Sequence, residues 1–215
     1  EETENLIKWI KDWFDENGKD CNAVLGISGG KDSTVAAALC VKALGANRVI
    51  GILMPNGTQL DFKEALEVVN TLNIQHFVSD INNPYIDIIE DLIENLDYEL
   101  SNKNLFVSEQ TMINLGPRLR MTYLYAYAQS LNGRVINTCN LSENICGFST
   151  LYGDHAGDVS LFDQLTVSEV KAIGHYLGLP DKLVDKTPSD GLTGKTDEEC
   201  YGFSYDTLDK FIRTG

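Results

Sequence analysis

Apolar residues recur along this chain at two spacings, and each spacing predicts one kind of secondary structure. Leu6, Ile10 and Phe14 lie one helical turn apart, which predicts an amphipathic helix over residues 3–16 that ends at Gly18. Short continuous apolar runs predict buried strands instead. The chain therefore divides into predicted helices over 3–16, 33–44, 61–72, 84–100, 115–131, 168–177 and 205–212, and predicted strands over 23–27, 49–54, 76–78 and 134–137.

The predicted strands alternate with helices along most of the chain. This order is typical of an α/β fold, with a Rossmann-like parallel sheet and helices on both faces. Ligands of such folds bind at the carboxyl ends of the strands, so the loops over 28–33, 54–59 and 138–143 are expected to meet there. Residues 141–161 are rich in glycine and are predicted to be largely a loop.

Acidic residues outnumber basic ones, and this excess narrows the classes of partner. The 215 residues carry a formal net charge of −15, with an isoelectric point near 4.5. Binding to the phosphate backbone of DNA or RNA requires a basic face, so no nucleic-acid partner is expected. A nucleotide ligand is not excluded, because it needs only a local cationic pocket.

The apolar runs and the cysteines predict where the protein is found. No apolar run approaches the roughly 18–20 residues that cross a bilayer, so no membrane partner is expected. The five cysteines are widely spaced and form no C-x-x-C pair, which favours a reducing, cytoplasmic location. No histidine or second cysteine pair accompanies Cys139 and Cys146, so these two are not expected to bind zinc.

The stretch from Gly26 to Thr34 carries the strongest functional signal. It joins a predicted strand to a predicted helix through adjacent glycines, a geometry that points free backbone N–H groups and a positive helix end at an anion. Ser28, Ser33 and Thr34 add hydroxyl donors, and Lys31 adds a cation. A phosphate chain is therefore the expected ligand. A tight turn without a ligand is the alternative, but such a turn needs fewer glycines and polar side chains.

The residue after Lys31 distinguishes this loop from a Walker A motif, because Asp32 places a carboxylate where it can hold Mg²⁺ directly. The segment Ser28-Gly29-Gly30-Lys31-Asp32-Ser33 resembles the SGGxDS loop of the N-type ATP pyrophosphatases, which cleave ATP between its α- and β-phosphates. The resemblance implies that Lys31 is catalytic, since it stabilises the leaving pyrophosphate. It also implies that ATP is bound by Gly26, Ile27, Ser28, Gly29, Gly30, Lys31, Asp32, Ser33, Thr138 and Ser189.

Further motifs resemble the ammonia-dependent NAD synthetases within that group. Asn114–Met121 resembles their N-x-x-x-R-x-R-M segment, Thr138–Glu143 their T-x-x-x-x-E loop, and Tyr152–Asp158 their YGDGGxD segment. Shorter matches lie at Gly57-Thr58-Gln59, Pro188-Ser189-Asp190-Gly191-Leu192, Thr196-Asp197-Glu198 and Tyr205-Asp206-Thr207-Leu208-Asp209. The resemblance therefore extends over nearly the whole chain.

This resemblance implies a role for individual residues. It implies that Arg118 and Asp158 bind the deamido-NAD substrate. It implies that Asp32 and Glu143 hold Mg²⁺ between them. Asp154 becomes the candidate to orient ammonia or to take its proton.

The positions of Arg120, Leu151 and Val167 depart from the simple reading of the motifs. Arg118 and Arg120 point about 200° apart on a helix, so only one can face a given ligand, and Arg120 is expected to form an ion pair with the acidic surface. Leu151 and Val167 stand where many NAD synthetases have lysines that bind the substrate and ATP. The lysines that remain candidates to replace them are Lys171, Lys186 and Lys195.

The function implied is the ATP-dependent amidation of nicotinic acid adenine dinucleotide (deamido-NAD) to NAD with ammonia, through an adenylated intermediate. The resemblance also implies a homodimer with the dinucleotide at the subunit interface. We expect one domain over residues 1–215, because the 22 residues before the first predicted strand are too few for the glutaminase domain of glutamine-dependent relatives. Two alternatives stay open: an RNA-modifying ATP pyrophosphatase, and a non-catalytic nucleotide-binding protein.

Overall fold

A parallel sheet forms the centre of the fold. The computed structural model describes residues 1–58, 61–100, 106–186 and 202–215. Within these ranges the strands are β1 (Asn22–Gly26), β2 (Val49–Leu53), β3 (Gln75–Val78), β4 (Gly133–Asn140) and β5 (Val159–Phe162). They lie in the order β3-β2-β1-β4-β5, and each neighbouring pair is parallel.

Helices connect and follow these strands. The helices in the described ranges are α1 (Glu2–Asn17), α2 (Lys31–Leu44), α3 (Phe62–Thr71), α4 (Asn82–Leu100), α5 (Glu109–Ser130), α6 (Leu141–Cys146), α7 (Val167–Tyr176), α8 (Asp181–Val184) and α9 (Tyr205–Thr214), with a 3-10 turn at Ala46–Arg48. None of these helices combines the length and the apolarity that a membrane span requires.

The alternation of side chains along β1 builds two cores, one on each face of the sheet. Ala23 and Leu25 pack on one face with buried residues of α1, α2, α3 and α7. Val24 packs on the other face, where side chains of α5 cover it. Both faces of the sheet are therefore covered, as parallel sheets require.

The strand order reverses between β1 and β4. From β1 the chain builds outward through β2 to β3, and it then returns to place β4 on the other side of β1. The connections on the two sides leave the sheet in opposite directions, so a crevice opens outside the carboxyl ends of β1 and β4. The glycine loop after β1 and the residues that end β4 meet at this crevice.

The predicted fold class is confirmed, and all but one of the predicted elements lie within three residues of their expected bounds. The exception is α5, which begins at Glu109 rather than residue 115. Ser108 caps it, since its hydroxyl accepts a hydrogen bond from the Thr111 backbone N–H at 3.1 Å. Pro117 lies inside this helix and does not start it.

The prediction that residues 141–161 are largely a loop is wrong in two places. Leu141–Cys146 forms α6, because Asn140 and Glu143 make a capping box at its start. Val159–Phe162 forms the edge strand β5, which is too short for its four residues to show a period by themselves. The fifth strand of the sheet was therefore not predicted.

The packing of α1 predicts a contrast between two aromatic residues on that helix. Phe14 is fully buried beneath the Arg48 guanidinium, whereas Trp9 is 44% exposed. We expect Phe14→Ala to lower the free energy of unfolding by about 3–5 kcal/mol in a urea titration, because it leaves a cavity in the core. Trp9→Ala, the matched control, is expected to change it by less than about 0.5 kcal/mol. Equal effects of the two substitutions would contradict this placement of α1.

Candidate functional site

A cavity of about 350 Å³ occupies the crevice at the point where the strand order reverses. Its lining comes from the glycine loop, the end of β2, one face of α5, the end of β4 and the segment that follows α6. The three loops expected to converge here are represented by Ser28, Met54 and Thr138. The predicted convergence is therefore confirmed for the described residues.

The glycine loop is held in shape by its own hydroxyl groups. Ser33 Oγ accepts from the Ser28 N–H at 3.3 Å and donates to the Gly30 carbonyl at 3.2 Å, while Ser28 Oγ accepts from the Gly30 N–H at 3.2 Å. Thr34 donates to the same carbonyl at 2.7 Å and is fully buried, so its hydroxyl serves the loop and not a ligand.

Gly29 has a structural role in the same loop. Its φ of +81° is one that side chains rarely adopt, and a Cβ there would lie 2.8 Å from the Ala65 backbone nitrogen. The loop can therefore pass this close to the start of α3 only with glycine at this position. Gly29 is absent from the cavity lining, whereas the other predicted residues from Gly26 to Ser33 belong to it.

The first turn of α2 brings a cation and a carboxylate to the cavity. Lys31 is 3% exposed, and its Nζ lies 2.7 Å from Asp32 Oδ2 and 5.7 Å from the centre of the Tyr205 ring. The backbone N–H groups at the start of this helix and the helix dipole add positive potential at the same place. This end of the cavity is suited to the phosphate groups of a nucleotide.

Asn140 connects the two carboxylates that the sequence predicts as metal ligands. Its side-chain Nδ2 donates to Asp32 Oδ1 at 3.2 Å, and its backbone N–H donates to Glu143 Oε2 at 3.1 Å. Both carboxylates line the cavity. Two carboxylates are the number that proteins commonly give to Mg²⁺ when substrate phosphates and water complete its octahedron, so this donor set fits that ion.

Sequence reasoning missed Asn140, although the signal was present. Asn140 followed three residues later by Glu143 is the pattern of a capping box, and the structure shows both of its hydrogen bonds. The β4–β5 ladder is irregular between Asn137 and Asn140. Consecutive residues Thr138 and Cys139 both line the cavity, as a bulge in the strand allows.

Asp154 and Arg120 also line the cavity. The Asp154 residue is exposed to solvent, but desolvation at the cavity wall raises the pKa of its carboxyl. The carboxyl accepts a hydrogen bond from the Thr150 N–H at 2.6 Å, which acts in the opposite direction and lowers the pKa. Arg120 Nε donates to the Met54 carbonyl at 3.1 Å. Burial lowers the pKa of the Arg120 guanidinium, and the nearby Asp154 carboxylate opposes that shift.

The expectation that Arg120 pairs with the acidic surface is therefore wrong. The direction of α5 turns Arg120 into the cavity, while Arg118 lies on the outer side of the helix. Arg118 is exposed, and its Nε donates to the Leu151 carbonyl at 3.3 Å. The angular argument correctly separated the two arginines, but it could not tell which one faces the cavity.

Another predicted residue, Asp158, lies outside the cavity lining. Asp158 is exposed, and its Oδ2 accepts from the Val135 N–H at 2.7 Å. Ser189 lies outside the described residues, as do Lys195 and the motifs around them. The structure thus brings together the glycine loop, Thr138, Glu143 and Asp154, and leaves Asp158 and Arg118 at the surface nearby.

The cavity has another cation from a part of the chain that no motif singled out. Lys186 lines it, with its Nζ 2.7 Å from Asp61 Oδ1. Leu151 is 60% exposed, and Val167 is buried with its N–H directed to the Ser142 hydroxyl. Of the candidate replacement lysines in the described ranges, Lys186 is the one that reaches the site.

Comparison with known proteins gives a consistent result. Residues 2–214 match the family model described as NAD synthase. The Carboxydothermus hydrogenoformans protein named NH(3)-dependent NAD(+) synthetase is 36% identical, over 100% of this chain and 86% of the relative. The protein of that name from Thermococcus sibiricus is 38% identical, over 96% of this chain and 77% of the relative.

Solved structures with similar folds include two synthetases. The NMN synthetase of Francisella tularensis superposes with a TM-score of 0.86 at 35% identity, over 98% of this chain and 84% of that one. The NH3-dependent NAD synthetase of Campylobacter jejuni gives a TM-score of 0.74 at 29% identity, over 99% and 86%. The glycine loop, the carboxylates beside it and these matches agree, and the chain belongs to the NAD synthase family.

Proposed function

We propose that this protein amidates deamido-NAD to NAD with ammonia and ATP, releasing AMP and diphosphate. The observation that carries the proposal is the pair Asp32 and Glu143, held through Asn140 beside the glycine loop in a chain of this family. The names of the relatives, NH(3)-dependent NAD(+) synthetase, support ammonia as the nitrogen donor and NAD as the product. ATP is the co-substrate of this family.

The reaction has two steps. A carboxylate oxygen of the nicotinate ring attacks the α-phosphorus of ATP, the bond to the β-phosphate bridging oxygen breaks, and pyrophosphate leaves. The nitrogen of ammonia then attacks the activated carbonyl carbon, the bond to AMP breaks, and the nitrogen loses a proton. The protein's contribution is to position the reactants and to stabilise the charge that develops on them.

The glycine loop and the carboxylates bind the pyrophosphate end of ATP. Backbone N–H groups of the first turn of α2 and Lys31 Nζ face the phosphates. Asp32 and Glu143 would hold Mg²⁺, which would supply positive charge to the phosphate oxygens. Thr138 and Ser189 are proposed to contact ATP as well, as the family pattern implies.

Arg120 and Asp154 serve the acyl side of the reaction. Arg120 is placed to orient the substrate carboxylate and to balance charge at the α-phosphorus. Asp154 takes the proton that the attacking nitrogen loses, and its raised pKa makes it a better proton acceptor than an ordinary carboxylate. Both groups line the same cavity, which supports giving them roles in one reaction.

The part of the dinucleotide substrate away from the reacting carboxylate is proposed to lie at a subunit interface. Arg118 and Asp158 are exposed near the cavity, where they bind the dinucleotide. Ile86 and Ile93 lie on one face of α4 and are 40% and 47% exposed, and Met112 of α5 is 37% exposed. We propose that this apolar surface of α4 and α5 forms the contact in a homodimer.

A mononucleotide is the second candidate acceptor. The NMN synthetase structure has a higher TM-score and identity to this chain than the Campylobacter NAD synthetase. Amidation of nicotinate mononucleotide needs the same two steps and the same cavity. The two candidates differ only in whether an adenylate group extends the substrate.

The rates with the two acceptors distinguish these candidates. With MgATP and ammonia, we expect AMP and pyrophosphate formation with deamido-NAD at a higher kcat/KM than with nicotinate mononucleotide, because Arg118 and Asp158 supply contacts beyond the ring. Coupled pyrophosphate release measures both. A preference for the mononucleotide would select the second candidate, and no release with either acceptor would favour a non-catalytic nucleotide-binding protein.

Substitution of each arginine distinguishes the roles proposed for Arg118 and Arg120. Arg120→Met is expected to lower the rate of adenylation by about 10²- to 10³-fold, because a charge-stabilising contact is lost at the reacting centre. Exchange of labelled pyrophosphate into ATP, with deamido-NAD and without ammonia, measures this step alone. Arg118→Met is expected mainly to raise the KM for deamido-NAD. Wild-type exchange by Arg120→Met would contradict the role given to Arg120.

The proposed homodimer can be tested by the molar mass of the protein in solution. Light scattering during size exclusion is expected to give twice the 23.8 kDa chain mass for the wild type. Ile93→Glu is expected to give monomers, because it buries a charge at the proposed interface. Phe211→Glu, at a 68% exposed position on α9, is the control and is expected to stay dimeric. A monomeric wild type would contradict the proposed interface.

A further inference from the structure

The C-terminal helix α9 contacts both halves of the proposed metal site. Tyr205 and Asp209 lie four residues apart, on one face of the helix, and are 4% and 5% exposed. Tyr205 reaches Lys31, the neighbour of Asp32. Asp209 reaches Ser142, the neighbour of Glu143. Both residues belong to the segment Tyr205-Asp206-Thr207-Leu208-Asp209, which resembles a family motif.

Asp209 accepts hydrogen bonds from two helices at once. Its Oδ1 accepts from Ser142 Oγ at 2.5 Å, and its Oδ2 accepts from the Ser168 N–H at 2.7 Å and the Ser168 hydroxyl at 2.6 Å. Ser142 Oγ in turn accepts from the Val167 N–H at 3.2 Å. Three donors converge on one buried carboxylate, which therefore joins α6 to the beginning of α7.

This network fixes the rotation of α6. The helix has only six residues, and Ser142 is fully buried in its first turn. Asn140 holds the start of α6 through the capping box, and Asp209 holds Ser142 from the other side. Glu143 follows Ser142 directly and is itself part of the capping box, so the position of its carboxylate depends on both attachments.

Helix α9 also lies close to Asp32, the other proposed metal ligand. The Tyr205 ring lies 5.7 Å from Lys31 Nζ, a cation–π distance, and Lys31 Nζ lies 2.7 Å from Asp32. At its far end α9 is attached through Arg213, whose guanidinium nitrogens lie 2.6 and 2.8 Å from Glu169 carboxylate oxygens. The helix is thus held along its length against α7 while it contacts both sides of the site.

We propose that α9 sets the separation of Asp32 and Glu143, and that Asp209 is a positioning residue for the divalent cation that binds with ATP. The inference rests on the proposed function, because it assumes the metal site at these two carboxylates. Residues behind metal ligands orient them, and their loss commonly costs 10- to 100-fold in metal affinity. Asp209 acts in this way through Ser142 on the helix that carries Glu143.

The test measures Mn²⁺ binding by electron paramagnetic resonance, with full-length protein and saturating ATP, in the absence of the acyl acceptor. Asp209→Asn is expected to raise the dissociation constant of Mn²⁺ by about tenfold, since its amide N–H₂ replaces an acceptor where donors converge. Asp206→Asn removes the same charge from the exposed side of α9 and is expected to bind Mn²⁺ as the wild type does.

A second pair of variants separates positioning from loss of stability. Ser142→Ala breaks the link from Asp209 to α6 and is expected to weaken Mn²⁺ binding. Ser168→Ala breaks only a link to α7 and is expected to leave it unchanged. This pair keeps the test decisive even where Asp209→Asn does not fold.

The outcomes distinguish the inference from the proposed function. A wild type that binds no Mn²⁺ with ATP would overturn the proposed metal site and this inference together. Normal Mn²⁺ affinity in folded Asp209→Asn, or in Ser142→Ala, beside normal binding by the wild type would overturn this inference alone. Equal losses in Ser142→Ala and Ser168→Ala would show a general effect on folding and would overturn it too.

Discussion

The pairing of β1 with β4 is the constraint on which the site depends. Because these two strands are neighbours, the glycine loop that follows one lies beside Asn140, which ends the other. Asn140 then bonds Asp32 on the first side and Glu143 on the second. The sheet therefore brings into one site two carboxylates that are more than a hundred residues apart in sequence.

Among the described residues, the cavity lining carries more acids than cations. Within the described part of the chain, the cavity is lined by Lys31, Arg120 and Lys186 and by four carboxylates. Each cation lies beside an acid: Lys31 and Lys186 at 2.7 Å from theirs, and Arg120 in the field of Asp154. A triphosphate that enters such a site adds negative charge that these cations do not offset alone. The Mg²⁺ proposed at Asp32 and Glu143 would supply the balance.

The sequence predicted the helices and strands that show a clear apolar spacing or end at a glycine. It also predicted the site residues that belong to motifs. It missed β5, since four residues carry no period, and it missed α6, although the capping pattern of Asn140 and Glu143 was present. It assigned Arg120 to the surface because a helical angle separates two side chains without saying which way the helix faces. The contacts of Tyr205 and Asp209 depend on tertiary packing, so no local pattern could have given them.

The central claim is that Asp32 and Glu143 bind ATP through Mg²⁺ beside the glycine loop. The most direct measurement is calorimetric titration of ATP into the protein, with Mg²⁺ and again with excess EDTA, for the wild type and Glu143→Gln. We expect the wild type to bind ATP much more tightly with Mg²⁺ than without it, and Glu143→Gln to lose most of this difference. ATP affinity that is the same with and without Mg²⁺ in the wild type would contradict the account.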